Sequence, residues 1–247
     1  MVVAVEEIAI NMGECVVNCT VKRSKKRRRT LALMMHPQEG IVAHIPWRTT
    51  AEYFQEFLHG HRRWILARVQ QLNALPKHTL NTGEQVSYLG QICNLKVTES
   101  PKRSQCVYEE AAGQLHITIK PQEDEAQRQK AVYLQLKKWY YAQAHPFLSE
   151  RLAFWQEKMQ LSYGELRISN PKRQWGCCHA NNNISINWRV MMTSLELIDY
   201  LLVHELCHTV HKNHSAKFWN LVGTAIPDYR ERRRDLQKHD AGYFGML

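Results

Sequence analysis

Two histidines four residues apart, with a glutamate beside the first, stand out as the side chains best suited to chemistry: His204-Glu205-Leu206-Cys207-His208. On a helix, positions i and i+4 share a face, so one zinc ion can bridge both imidazoles. Glu205 then projects to the side, where its carboxylate can take a proton from a metal-bound water without being a ligand. The bland reading is an amphipathic helix with two histidines at its wet edge. Leu201-Leu202-Val203, directly before His204, argues against it by burying the helix, and buried imidazoles and a carboxylate without partners are costly. A catalytic site needs a third protein ligand and one open position. His214 and His211 are the rivals, and His214 is favoured because one helix rarely brings three ligands to a tetrahedral ion. Asn213 is expected to take the left-handed conformation that turns the chain between His208 and His214. Ser215 can cap a following helix through Phe218, Trp219, Leu221 and Val222 that backs the third ligand.

Other groups carry less. Cys177, Cys178 and His179 do not match zinc-knuckle spacing, and Cys207 is expected to pack inward as a small apolar residue. Asp199 can orient a ligand imidazole or form a salt bridge. His179, His211, Tyr200, Tyr229, Arg173 and Arg189 are all chemically able to stabilise an oxyanion, and the sequence does not choose among them.

These residues must be positioned by a helix beginning near Thr193, which has capping-box spacing to Glu196, and by Leu166–Ile168 and Ile184–Ile186 strands, with the Asn181-Asn182-Asn183 run between Cys178 and Ile184 as the turn of a hairpin that leads into the helix. Behind them, Ala131 to Trp155 repeats with helical spacing as a long backing helix, which Pro146 is expected to kink or divide. The first 120 residues read as strands around one helix. Val16–Val21, Thr30–Met35 and Ile41–Ile45 are strands, the basic run between the first two is a hairpin tip, and a helix capped by Thr49 or Thr50 runs to about Leu72. Two hairpin-like stretches follow near 85–98 and 105–119. No internal repeat is legible.

The chain has 247 residues, 44% apolar and 23% charged, which excludes a disordered, collagenous or coiled-coil protein and suffices for one large domain or two small ones. A mean hydropathy of -0.47 and the lack of a long apolar run exclude a membrane span, and Glu6 and Glu7 stand where a signal peptide would be basic and then apolar. Seven cysteines without a disulfide framework point to reduced thiols and a cytoplasmic protein. Thirty-three Lys and Arg against 23 Asp and Glu give a net charge of +10, which favours acidic partners. Seven of the eight residues from Lys22 to Arg29 are basic, and Arg230, Arg232, Arg233 and Arg234 form a second cluster; neither contains an aromatic for stacking on bases.

Several stretches together resemble the YgjP-like zinc metallopeptidases, relatives of the SprT-like proteins within the zincins. They are Ile198 through His208, Asn213-His214-Ser215 with Phe218-Trp219, Gln174-Trp175-Gly176-Cys177-Cys178, Asn183 through Arg189, and the basic run with Thr30-Leu31. Cys177 departs from the serine of the family pattern, and the basic C-terminal tail matches no fixed pattern. A metzincin assignment is disfavoured because His211 replaces that group's intervening glycine. The resemblance implies an α+β fold: a β-rich N-terminal region with one helix over 1–120, and a zincin-like half over 121–247 whose active-site helix packs on a long backing helix and a small sheet. It implies one zinc per chain on His204, His208 and His214, Glu205 as general base, and a protein or peptide substrate. A second reading is a nucleic-acid-associated SprT-like protease or DNA-binding module using the basic surface. A third is a zinc-stabilised interaction protein without turnover.

Overall fold

The computed structural model describes residues 2–13, 16–36, 40–74, 79–171 and 174–246. They form two compact units divided at residue 77/78. Among them no helix is long and apolar enough to cross a membrane.

The first unit is a four-stranded sheet with two helices. Its strands β1 (Val2–Asn11), β2 (Val16–Ser24), β3 (Ala32–His36) and β4 (Gly40–Pro46) lie in the order β1-β2-β4-β3. β2 and β4 are parallel, and the outer strands are antiparallel to their neighbours. Alternation on β2 and β4 turns Val17, Cys19, Val21, Ile41, Ala43 and Ile45 inward, where they meet Phe54, Leu58 and Ile65. The basic run is therefore not a hairpin tip. β2 and β3 never pair, so the segment between them arches across the end of β4. The single expected helix is also two, α1 (Ala51–Gly60) and α2 (Arg62–Ala74). At His61 the backbone leaves helical geometry (φ −103°, ψ 11°), and its ring nitrogen Nδ1 takes up the Phe57 carbonyl. Thr50, rather than Thr49, caps α1 by accepting from the Tyr53 amide.

The second unit opens with another four-stranded sheet, β5 (Gln85–Tyr88), β6 (Gln91–Glu99), β7 (Gln105–Glu109) and β8 (Gln114–Ile119), ordered β5-β6-β8-β7 with β6 and β8 parallel. These strands belong with the C-terminal part, so the division falls at 77/78 and not at 120/121. The reason is packing on α3 (Glu125–Met159). Tyr88 and Tyr108 of the sheet join Trp139 and Tyr140 of that helix in one aromatic cluster, and the Tyr140 hydroxyl donates to the Ser87 carbonyl at 2.6 Å. α3 runs unbroken through Pro146, where proline forfeits one backbone bond while Ala144, Leu148, Leu152 and Trp155 continue its buried face.

A three-stranded sheet follows: β9 (Leu166–Ser169), β10 (Gly176–Cys178) and β11 (Ile184–Asn187), with β10 at one edge and β11 central. The β10–β11 hairpin turns at Asn182, which is left-handed (φ 63°). The chain then enters α4 (Leu195–Cys207), α5 (Ala216–Ala225) and α6 (Tyr229–Met246). Ser194 is the N-cap of α4, and the Thr193 hydroxyl instead donates to the Val190 carbonyl. The tight β5–β6 turn holds that end in place, since a Cβ on Gly90 (φ 79°) would lie 2.9 Å from Ser194 Cα.

Candidate metal centre

α4 is apolar nearly all round and is buried along its length. Arg151 of α3 clamps it with two bonds to Asp199, Nε to Oδ1 at 3.0 Å and Nη2 to Oδ2 at 2.6 Å. Asp199 thus ties two helices together and does not orient an imidazole. After Cys207 the helical bonds tighten to i→i+3, with Thr209 and Val210 donating to Leu206 and Cys207. The turn toward His214 therefore begins at His208, and Asn213 is not left-handed. Ser215 caps α5 by accepting from the Phe218 amide.

These turns bring His204, His208 and His214 together. His214 Nε2 lies 3.1 Å from His204 Nε2 and 3.2 Å from His208 Nε2. Metal–nitrogen bonds of 2.0–2.1 Å at a tetrahedral ion separate ligand nitrogens by about 3.3 Å, so the three donors are spaced to share one ion. Their protonation suits the role. Burial, then the neighbouring imidazoles, push His204 down to about 3, and burial likewise lowers His208. His204 and His208 are thus held as neutral donors at pH 7. His211 keeps its ring out of this group. Its carbonyl instead accepts from His208 Nδ1–H at 2.8 Å, which leaves Nε2 of His208 free to coordinate. His204 Nδ1 is buried and meets no partner among the described residues.

α5 supports the cluster from behind. Phe218 is fully buried, stacks on His208 (4.4 Å between ring centres) and meets His204 and His214 edge-on. Trp219 stacks on His214, and Tyr229 on Trp219. The sequence placed Phe218 and Trp219 on the helix behind His214, but not their stacking.

Glu205 is only 4% exposed. Burial pushes its carboxyl up to about 8, opposed by the Cys178 amide, which donates to it. Its carboxylate lies over the edge strand at Gly176, where a Cβ would stand 2.6 Å from Oε1 and 2.9 Å from Cδ. No spacing argument identifies Gly176, although it stands in the Gln174–Cys178 stretch; its place within β10 is where a glycine marks close approach. Cys207 is buried with its thiol pushed up to about 12, an inert packing residue. Of the candidate oxyanion donors, Tyr200 packs beside His204, with ring centres 5.8 Å apart. Arg189 is buried, with its guanidinium on Asn170. His179 shares a bond with Ser185, and Arg173 lies outside the described residues.

The family model described as YgjP-like, metallopeptidase domain, matches residues 29–239. Among solved structures, the crystal structure of the metallopeptidase zymogen of Methanocaldococcus jannaschii jannalysin is similar over 37% of this chain and 94% of that one, with 18% identity and a TM-score of 0.34. No curated protein matches the sequence.

Proposed function

Because the chain belongs to the YgjP-like metallopeptidase family, we propose that it is a zinc-dependent peptidase with a zincin-like C-terminal half, one zinc on His204, His208 and His214, and Glu205 as general base. The convergence of three imidazole Nε2 atoms, with one buried carboxylate beside the first of them on the helix, carries this reading. Zinc, when bound, supplies a Lewis acid that polarises the scissile carbonyl and acidifies water. Glu205 takes the proton of the attacking water and delivers it to the departing amine nitrogen. Its burial keeps the carboxyl dry, and a nearby divalent cation favours the carboxylate that this step requires. Gly176 and the Cys178 amide hold that carboxylate at the edge of β10. The six described cysteines are unpaired, in keeping with a cytoplasmic, reducing setting.

Metal content and hydrolysis of a peptide library together test this. The wild type is expected to hold about one zinc per chain and to cleave. His204→Ala and His214→Ala should lose both properties, and Glu205→Gln should keep zinc and lose at least ~100-fold in turnover. Normal hydrolysis by zinc-loaded Glu205→Gln protein would end the proposed mechanism. Zinc without hydrolysis in the wild type would leave a zinc-stabilised interaction protein.

A further inference from the structure

The topology of the first unit gives its basic arch an aromatic companion that the linear sequence does not show. β2 and β4 end side by side, Ser24 opposite Pro46, and the Trp47 amide donates to the Ser24 carbonyl at 3.2 Å. Trp47 therefore emerges beside the first residues of the arch. The Lys25 ammonium sits 5.4 Å from the centre of its ring, which is still 42% exposed. Arg23 fixes the turn that carries it, donating to the carbonyl of Thr49 at 3.0 Å and of Trp47 at 3.4 Å. Within the arch, Arg27 turns back to the carbonyl and hydroxyl of Thr30, both at 3.0 Å, and braces the loop. Its neighbours Lys25, Lys26, Arg28 and Arg29 point to solvent, as does Arg48 next to Trp47. Among the described residues, none of Lys26, Arg28, Arg29 and Arg48 forms an ion pair.

We propose that this end of the first unit is a binding site for single-stranded nucleic acid, with a base stacked on Trp47 and the flanking phosphates on Lys25, Lys26, Arg28, Arg29 and Arg48. Unpaired cations at this density favour a polyanion. The exposed indole among them favours one that carries unpaired π-faces over an acidic polypeptide or a duplex, whose bases are already stacked. Nothing in the assignment depends on the metal centre, so either reading can fail alone.

Anisotropy titrations of labelled oligothymidine and oligouridine of about 15 nucleotides test it, beside a duplex of equal length and a polyglutamate peptide. The full-length wild type should bind the single strands more tightly than the duplex or the peptide, and should weaken steeply between about 50 and 200 mM salt. Trp47→Ala should weaken single-strand binding about tenfold with the salt slope unchanged, and Trp47→Phe should restore most of it. Arg28→Ala with Arg29→Ala should instead reduce the slope, by about 0.7 per lost phosphate contact. No binding at low salt, equal binding of polyglutamate or duplex, or full affinity in Trp47→Ala would each overturn the proposal.

Discussion

Gly176 and Glu205 occupy one another's space: the carboxylate rests where a methyl group on the strand would be. Gly176→Ala must therefore displace the carboxylate while leaving the three histidines alone. The expected result is normal zinc content with peptide hydrolysis reduced at least ~10-fold, read by elemental analysis beside turnover. The burial that dries Glu205 also leaves a thermodynamic mark on the metal-free protein. Its folded carboxyl titrates near 8 instead of 4.5, so between those values the folded state holds a proton that the unfolded state has released, and stability falls as pH rises. His204 acts in the opposite sense. Lowered from 6.5 to about 3, it costs stability as pH falls below 6.5. From pH 6.5 to 8 the histidine contributions fade while that of Glu205 persists, so metal-stripped wild type should lose about 1–2 kcal/mol there relative to Glu205→Gln in urea titrations. Equal slopes would mean that Glu205 is not the group held protonated. At this scale His204 and His208 were legible as proposed zinc ligands because i, i+4 spacing translates directly into a shared helix face. Gly176 was not, because its role is to be small opposite a residue 29 positions away.

α4 is held by α3 on one side and by the rings of α5 on another. Asp199→Ala breaks the two-bonded pair with Arg151, which leaves a half-buried guanidinium without its carboxylate, and should cost about 1–3 kcal/mol of stability. Zinc content should not change, which separates a tie between helices from an orienting carboxylate; loss of zinc in a folded Asp199→Ala protein would restore the latter. Phe218→Ala should be harsher, about 3–5 kcal/mol, with weakened zinc binding, because its ring packs against all three imidazoles. Melting temperature and competition with a zinc chelator read the two effects separately. Helices with one strong apolar face, such as α3 and α5, could be read from residue spacing alone. The break at His61 could not, since Phe57, Leu58, Trp64 and Ile65 keep a helical rhythm across it. Nor could the continuity of α3, because tertiary packing on both sides of Pro146 outweighs one missing backbone bond.

Across the whole chain, one strand order occurs twice: β1-β2-β4-β3 and β5-β6-β8-β7, each with its central pair parallel. No repeat shows in the amino acids, because what recurs is connectivity, and many different apolar alternations satisfy the same pleat. The same blindness moved the boundary. Strands between 85 and 119 look alike whichever neighbour they join, and contacts distant in sequence, such as the aromatic cluster with Trp139 and Tyr140 and the bond from Ser87 to the Met192 carbonyl, assign them to the second unit. Since that unit holds the sheet, α3 and every proposed zinc ligand, a chain starting at residue 78 is expected to fold and bind zinc without the first unit, as circular dichroism and metal content would show. The strand order also sets a schedule during synthesis. In each sheet the inner strand pairs at first on one side only, and its other edge stays open until the chain has travelled outward and come back as β4 or β8. The arch from Lys25 to Leu31 thus has nothing to cross until Pro46 leaves the ribosome. Its cations gain a fixed arrangement only when Trp47 arrives, so that end of the unit is among the last parts of its sheet to take shape.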